Sequence, residues 1–218
     1  MFKNRKEAGR LLAKNLKKLQ EEKKIIDPVV IVLPRGGIPV GLEVAKELNV
    51  PLDLLLIKKI PAPLSKEVGI GSVSESGSVF LDEELAERSF ADKKYIEEKI
   101  KEKMAQIAKL RKKYRYDSIL LKGKDVILID DGVATGSSIY LAAKSIAKEL
   151  IRSTTIAIPV APNDEKVLSM LEDASNHLEI LLKPDVFMGV ARWYEDFHQL
   201  SDKEVVKLLN EAKGLPKE

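Results

Sequence analysis

The sequence contains no cysteine. This absence excludes disulfide bonds, thiolate nucleophiles and the zinc or iron–sulfur sites that depend on cysteine ligands. Only two histidines are present, so any metal ion must be held by oxygen atoms or by these two side chains. Aromatic residues make up only 5% of the chain, so a local cluster of them is informative.

The chain also lacks a long apolar run and an excess of charge of one sign. Its first residues, 1–19, are amphipathic, and no later segment is long enough to span a membrane. The 37 basic and 34 acidic side chains leave a formal net charge of +3, which is typical of a solvated surface and not of a nucleic-acid-binding protein. We therefore expect a soluble, cytoplasmic protein without a membrane or nucleic-acid partner.

Strand-like and helix-like segments alternate, which predicts an α/β fold with a mostly parallel central sheet flanked by helices. The length favours a single domain over residues 1–218. Strands are predicted at Val29–Leu33, Leu52–Ile57, Val126–Ile129, Thr154–Val160 and His177–Leu182. Helices are predicted at Arg5–Lys24, Pro39–Leu48, Asp82–Tyr116, Ile139–Leu150, Asp164–Asp173 and after Ser201. The segment Pro61–Gly77 is rich in proline, glycine and serine, and predicts a mobile loop that leads into a hairpin ending near Leu81.

The most informative segment is Val126–Ser138, VILIDDGVATGSS. Its first four residues are aliphatic and predict a strand buried on both faces, followed by Asp130 and Asp131. The crevice beyond the carboxyl ends of parallel strands is the usual ligand site of such folds. Small and hydroxyl-bearing residues, Ala134–Ser138, then lead into a helix whose N-terminal amides favour an anion. A solvated turn is the alternative, and a Walker-type loop is excluded because the segment has no lysine.

A second candidate anion site is the loop PRGG, which follows an early predicted strand. It combines the fixed charge of Arg35 with Gly36 and Gly37, whose backbone can approach a ligand closely. The same composition is common in ordinary turns. Lys58 and Lys59 follow the next predicted strand, where they are either ligand-binding or merely solvated.

VILIDDGVATGSS resembles the phosphoribosyl pyrophosphate (PRPP) motif of the type I phosphoribosyltransferases, in which a hydrophobic strand carries an acidic pair followed by a phosphate loop. The sequence differs from this motif at one position, where Gly132 stands in place of the family's usual aliphatic residue. The order PRGG, KK, GIGSVSESG, DDGVATG and a terminal WYxDF segment resembles, over most of the chain, the stand-alone predicted phosphoribosyltransferases of prokaryotes, whose acceptor is unassigned. The resemblance implies the type I phosphoribosyltransferase fold, with a long helical insertion at about 82–116 and a small hood and C-terminal region at about 183–218.

The resemblance also implies roles for the candidate residues. Asp130 and Asp131 would hold the ribose hydroxyls of PRPP, favour the positively charged ribose of the transition state, and contact Mg²⁺ directly or through water. The residues implied in pyrophosphate binding are Arg35, Gly36, Gly37, Lys58 and Lys59. Those implied in binding the 5′-phosphate are Ala134, Thr135, Gly136, Ser137 and Ser138. Ala62–Ser76 occupies the place of the family's flexible loop, with Gly69 and Gly71 as hinges, and an ordinary surface loop is the alternative.

The sequence does not identify the acceptor, and it only disfavours one class of acceptor. Hypoxanthine-type enzymes carry an aspartate where Ala134 stands, and a lysine after the next strand that is absent here, so a 6-oxopurine is disfavoured. The segment Phe187–Leu200, which we call the hood, lies where the family's hood covers the base, and it contains Trp193. This ring could stack on a planar base, and packing of the hood against the core is the alternative. His198 is interpreted as structural, as a lone histidine usually is, and a proton-transfer group is the alternative.

These features predict a Mg²⁺-dependent phosphoribosyltransferase of nucleotide metabolism, which transfers the 5-phosphoribosyl group of PRPP to a nitrogenous base or amine and releases pyrophosphate. The alternative is a non-catalytic PRPP-binding sensor or transcriptional regulator, which the basic run Arg111-Lys112-Lys113 keeps open. A diphosphotransferase related to PRPP synthesis would need an ATP site, for which there is no motif. The apolar stripe of the insertion predicts core packing, with a homodimer contact or a lid as alternatives.

Overall fold

A computed structural model of the protein describes residues 1–114 and 119–216. In chain order its elements are α1 (Arg5–Glu21), β1 (Pro28–Val32), α2 (Gly37–Leu48), β2 (Leu52–Leu54), β3 (Ile57–Ala62), β4 (Ser65–Ser74), β5 (Val79–Leu81), α3 (Glu83–Arg88), α4 (Lys93–Tyr114), β6 (Asp125–Ile129), α5 (Ser137–Ile146), β7 (Ser153–Val160), α6 (Glu165–Glu172), β8 (His177–Leu182) and α7 (Asp202–Ala212). Short 3-10 helices occupy Ala147–Glu149 and Val190–Trp193.

Five strands form the central sheet in the order β2-β1-β6-β7-β8, and every neighbouring pair is parallel. The predicted fold class, a parallel central sheet flanked by helices, is therefore confirmed. β1 and β6 are buried at every position because helices cover both faces of the sheet. Val30 and Ile127 pack with α1, α2, α4 and α7 on one face. Val29 and Leu128 pack with α5 and α6 on the other.

The predicted strand Leu52–Ile57 is too long, because the chain leaves the central sheet after β2. The amide of Leu56 donates to the side chain of Glu75 (3.1 Å) instead of continuing the parallel ladder. The chain then enters a small antiparallel sheet with the order β3-β4-β5, which we call the small sheet. Lys58 and Lys59 therefore lie within β3 and do not follow the end of a strand.

The prediction of a mobile loop over Pro61–Gly77 is wrong for Ser65–Ser74, which forms β4, the middle strand of the small sheet. Gly69 and Gly71 are paired strand residues and not hinges. At Gly71 the neighbouring strand approaches so closely that a Cβ atom would lie 2.3 Å from the carbonyl oxygen of Phe80. Glycine is disfavoured within strands except at such close approaches, so the composition of β4 resembles that of a loop. β4 and β5 form the predicted hairpin.

The insertion contains two helices, α3 and α4, where the sequence predicts one helix over Asp82–Tyr116. They are separated at Phe90, whose φ of +56° lies outside the right-handed helical region. The last two residues of that prediction, 115 and 116, lie outside the described residues. Ile107 and Tyr114 of α4 are buried in the core, and Ile100 packs between the core and the small sheet. Core packing of this apolar stripe is therefore confirmed.

The N-terminus is joined to the hood by backbone hydrogen bonds. The amide of Phe2 donates to the carbonyl of Trp193 (2.8 Å), and the amide of Glu195 donates to the carbonyl of Phe2 (2.8 Å). α7 follows the hood and begins with the predicted capping box of Ser201 and Glu204. Within residues 1–114 and 119–216, no helix is long and apolar enough to cross a membrane.

Candidate active site

The two predicted loops meet at the carboxyl ends of β1 and β6. These neighbouring strands stay hydrogen-bonded to their ends, where the Leu33 amide donates to the Ile129 carbonyl (2.9 Å). A Cβ atom on Gly36 would lie 1.9 Å from Oδ2 of Asp131, and one on Gly37 would lie 2.7 Å from the Ile129 oxygen. Only glycine allows this approach, so the PRGG backbone is in direct contact with the acidic pair.

The acidic pair, Asp130 and Asp131, forms a compact group with one arginine. Oδ1 of Asp130 accepts a hydrogen bond from the amide of Asp131 (2.8 Å). Oδ2 of Asp131 accepts one from Nε of Arg5 (2.8 Å). Burial raises the pKa of both carboxyls, and the charge of Asp131 raises the pKa of Asp130 further, whereas Arg5 lowers the pKa of Asp131. The two acids therefore depend on nearby cations to remain ionised together.

Arg5 is not among the residues that the motifs predict for the site. It is the first residue of α1 and is only 8% exposed. A signal for it exists in the sequence, since Arg5 lies on the same helical face as the buried Leu12 and Leu16. A charged residue on a buried stripe requires a buried partner, and here that partner is Asp131. The sequence alone does not identify the partner, because the two residues are 126 positions apart.

The hood reaches the acidic pair through Tyr194. Its hydroxyl donates to the backbone carbonyl of Asp131 (2.6 Å), and burial raises the pKa of this phenol. Trp193 packs instead in a cluster with Phe2 and Val160 between the hood and the N-terminus. Its indole nitrogen is buried and has no hydrogen-bond partner among the described residues. The geometry thus gives the ring of Trp193 a packing environment next to the site.

The predicted phosphate loop, Ala134–Ser138, turns at Gly136 into the N-terminus of α5. Gly136 adopts a φ of +79°, and a Cβ atom there would lie 2.3 Å from Cε of Met170 in α6. The helix α5 begins at Ser137, earlier than predicted. The hydroxyls of Thr135 and Ser137 lie 3.2 Å apart at this helix N-terminus. Exposed hydroxyls and helix N-terminal amides together suit a phosphate group.

Arg35 directs its guanidinium towards the start of α7. Nη1 donates to the carbonyl of Leu200 (2.7 Å), and Nη2 lies 3.3 Å from Asp202; the peptide bond that precedes Arg35 is cis. Burial lowers the pKa of Lys58, and the charge of Arg35 lowers it further, so Lys58 lies within electrostatic reach of the PRGG loop. Lys59 is exposed and faces the other side of β3, because successive strand residues point to opposite faces. Lys58 and Lys59 therefore lie on opposite faces of β3, and only Lys58 is partly buried.

The departure at Gly132 is explained by the hood. A Cβ atom on Gly132 would lie 2.5 Å from Cγ1 of Val190 and 3.0 Å from Cγ1 of Val160. Val190 begins the short helix of the hood. Its side chain therefore fills the space next to the motif, and the glycine reflects this packing rather than the loss of a site.

The position of His198 agrees with its interpretation as a structural residue. Its ring lies between two carboxylates, with Nδ1 2.9 Å from Asp196 and Nε2 3.0 Å from Glu204. Hydrogen bonds to both carboxylates raise the pKa of the ring. Its backbone carbonyl, by contrast, accepts a hydrogen bond from Nη1 of Arg5 (3.0 Å).

The sequence matches a family model described as the phosphoribosyl transferase domain over residues 1–170. Two Mycobacterium tuberculosis proteins, provisionally named phosphoribosyl transferases MT0597 and Rv0571c, are each 30% identical to it over 214 residues. The alignment covers 97% of this chain but 47% of each relative. The chain thus spans about half the length of these relatives.

Two solved structures are similar to this one. TT1426 from Thermus thermophilus is 34% identical with a TM-score of 0.80, over 97% of this chain and 98% of that one. A hypothetical protein from Neisseria gonorrhoeae with bound ppGpp shares the fold alone, at 11% identity and a TM-score of 0.50 over 95% and 92% of the two chains. The matched residues 1–170 include the PRGG loop, the acidic pair and the phosphate loop, on which the predicted family resemblance depends. That resemblance is confirmed, and this chain belongs to the phosphoribosyl transferase domain family.

Proposed function

We propose that this protein transfers the 5-phosphoribosyl group of PRPP to a nitrogenous base or amine and releases pyrophosphate. The observation that carries the proposal is the contact between Gly36 of the PRGG loop and Asp131, at the ends of two neighbouring parallel strands. PRPP has a ribose between a pyrophosphate and a 5′-phosphate. In the proposed binding mode such a ligand would span the glycine loop, the acidic pair and the phosphate loop.

Each charged part of PRPP would meet groups that suit it. The N-terminus of α5 and its hydroxyls would receive the 5′-phosphate. The PRGG backbone with Lys58 would receive the pyrophosphate, and Arg35 would add its charge, although its guanidinium pairs with Asp202 in this structure. Asp130 and Asp131 would bind the ribose hydroxyls. As the bond between C1 and the pyrophosphate oxygen breaks and a nitrogen atom of the acceptor bonds to C1, their charge would favour the positive ribose.

Mg²⁺ is the metal ion that this site suits. Within residues 1–114 and 119–216, no group of three or more histidine, aspartate or glutamate residues is arranged to hold a metal ion by itself. Two adjacent carboxylates, Asp130 and Asp131, match a hard cation that takes its other ligands from water and substrate oxygens. When bound, the ion would neutralise part of the pyrophosphate charge.

The acceptor is proposed as a nitrogenous compound other than a 6-oxopurine, on the basis of Ala134 and of the lysine missing after β7. The hood and the residue before it expose two large apolar side chains, Val186 and Met188, which are candidates for contact with the acceptor. These side chains would suit a weakly polar, planar surface better than a charged one.

A transcriptional regulator is the weaker candidate, because two of the three residues in the basic run that favours it are engaged within the protein. Arg111 binds both carboxylate oxygens of Glu75, at 2.8 and 2.6 Å. Lys113 pairs with Asp202. Basic side chains that are paired internally offer little unneutralised charge to a nucleic acid.

The test is a calorimetric titration of PRPP in the presence of Mg²⁺, followed by a pyrophosphate-release screen over purines, pyrimidines and other amines. We expect the double variant Asp130→Asn/Asp131→Asn to weaken PRPP binding by roughly 100-fold, because the ribose hydroxyls lose charged acceptors. Glu97→Gln, on the exposed side of α4, is the control and should bind normally. Unchanged binding in the double variant would reject the proposed site. Binding without release for every acceptor would favour the sensor.

A further inference from the structure

Arg5 joins three parts of the molecule that are distant in sequence. Its Nε donates to Oδ2 of Asp131 at 2.8 Å, and its Nη1 donates to the carbonyl of His198 at 3.0 Å. The guanidinium carbon lies 3.8 Å from the centre of the Phe197 ring, which is a cation–π contact. The Arg5 side chain is only 9% exposed, so these interactions are weakly screened by water.

The carboxylate of Asp131 is confined from two sides. Arg5 holds Oδ2, and the backbone of Gly36 lies so close that a Cβ atom would be 1.9 Å from the same oxygen. The backbone carbonyl of Asp131 is fixed as well, by the hydroxyl of Tyr194. Among the described residues, no other residue is seen to donate a hydrogen bond to Oδ1, which makes this oxygen the candidate acceptor for a ligand hydroxyl.

The support that holds Arg5 is itself rigid. The side chain of Asn4 caps α1 by accepting a hydrogen bond from the amide of Glu7 (3.0 Å). Ala8 and Leu12, the next residues on the same face, are fully buried. Because the first turn of α1 is capped and its inner face is buried, the backbone of Arg5 is held in place. The guanidinium therefore stays in position to bind the Asp131 carboxylate.

The geometry points to Arg5 as a positioning residue that occupies Oδ2 of Asp131, presents Oδ1 to the ribose hydroxyls, and links the acidic pair to the order of the hood. The role towards ribose rests on the proposed function, whereas the link between Asp131 and the hood does not. Without Arg5, the carboxylate of Asp131 would be confined on one side only and could rotate away from the adjacent Asp130. The hood would lose its connection through Arg5 and would keep the hydrogen bond from Tyr194 to the Asp131 carbonyl.

The first test uses the protein without ligand. Hydrogen exchange, followed by mass spectrometry on peptides covering residues 187–200, is compared for wild type, Arg5→Gln, Asp131→Ala and the double variant. Both single variants should exchange faster than wild type in these peptides. The double variant should exchange no faster than Arg5→Gln, because all three variants lose the same connection, the hydrogen bond between Arg5 and Asp131. The matched control is Arg10→Gln, because Arg10 lies on the same helix as Arg5. This variant breaks the ion pair of Arg10 with Glu43 of α2 (2.6 Å) and should leave the hood unchanged.

The second test measures PRPP affinity in the same proteins. Arg5→Gln should weaken binding by roughly tenfold or more, since a charge-assisted hydrogen bond that orients the carboxylate is lost. Arg5→Lys should recover part of this loss, because it keeps the charge but not the planar fork. Arg10→Gln should bind as wild type does.

Failure of the proposed function and failure of the inference about Arg5 would give different results. If wild type does not bind PRPP, the proposed function fails, and the exchange experiment still decides the link to the hood. Wild-type exchange in Asp131→Ala would overturn the inference, and so would a further increase in the double variant over Arg5→Gln. If Arg5→Gln does not fold, Arg5→Lys replaces it, and wild-type behaviour of that variant in both tests would overturn the inference.

Discussion

The carboxyl edge of β1 and β6 and the small sheet of β3 to β5 are two regions built in different ways. At the carboxyl edge every strand residue is buried, and the loops that follow pack backbone against carboxylate. In the small sheet buried residues such as Ile60 and Ile70 alternate with partly or fully exposed ones such as Lys59. A strand that is buried on both faces has a continuous aliphatic sequence, whereas a strand with a solvent face does not. The first region is therefore far more visible in the sequence.

The sharpest test of this comparison adds one methyl group to each region, and it has the largest expected effect. In Gly36→Ala the new Cβ atom would overlap Oδ2 of Asp131, at 1.9 Å. We expect PRPP affinity to fall by roughly 100-fold, because the displaced carboxylate no longer meets the ribose. Calorimetric titration measures this change directly.

Gly71→Ala is the matched variant in the small sheet, where the Cβ atom would meet the carbonyl of Phe80 at 2.3 Å. It should lower the free energy of unfolding by about 1–3 kcal/mol through overpacking, and leave PRPP affinity close to wild type. If both variants lose PRPP affinity equally, the two regions do not have separate roles and the comparison fails.

The carboxyl edge shows how far the sequence can locate a site. The buried strands, the PRGG loop and the acidic pair follow from local patterns of apolar, glycine and acidic residues, and their contact follows from parallel pairing. Arg5 does not follow in this way, because its partner lies 126 residues away. A helical stripe predicts that Arg5 is buried, but only the packing of α1 against the sheet determines what it binds.

The small sheet shows where local patterns fail. β4 contains three serines and two glycines that are typical of loops, and it is a strand because β3 and β5 pair with both of its edges. Lys58 and Lys59 are adjacent in sequence, but the pleat of β3 directs them to opposite faces, so that Lys58 is partly buried and Lys59 is exposed. Tertiary pairing, which no short segment encodes, decides both outcomes.

A second prediction concerns the fit between the hood and the motif. Gly132→Ala should lower the free energy of unfolding by about 1–3 kcal/mol, because the methyl group would lie 2.5 Å from Cγ1 of Val190. Val190→Ala removes the opposing methyl groups, so the double variant should recover much of that loss. Denaturant unfolding of the three variants measures the coupling. Additive losses in the double variant would show that Val190 is not the reason for the glycine.

A smaller effect is expected where the small sheet is tied to α4. Glu75→Gln removes the ion pair with Arg111, whose closest approach is 2.6 Å and whose side chains are 25% and 21% exposed. Because the pair is partly solvated, we expect a loss of about 1 kcal/mol in the free energy of unfolding. Glu84→Gln breaks the far more exposed pair with Arg88 and should change stability by less than about 0.5 kcal/mol. Equal losses of stability in the two variants would show that burial does not determine the strength of these ion pairs.

The smallest expected effect is a pH dependence of stability due to His198, which tests whether this ring lies outside the candidate active site. Carboxylates Asp196 and Glu204 raise the pKa of His198, so its protonated ring stabilises the folded state. This contribution is fully present below the pKa of an unfolded chain, about 6.5, and is lost as the pH rises through the higher folded value. His198→Gln should flatten the pH dependence of unfolding in that window, measured by denaturant titration at each pH. PRPP affinity should not change, because Arg5 binds the backbone carbonyl of residue 198 and not its ring. A change in affinity would mean that the ring belongs to the site after all.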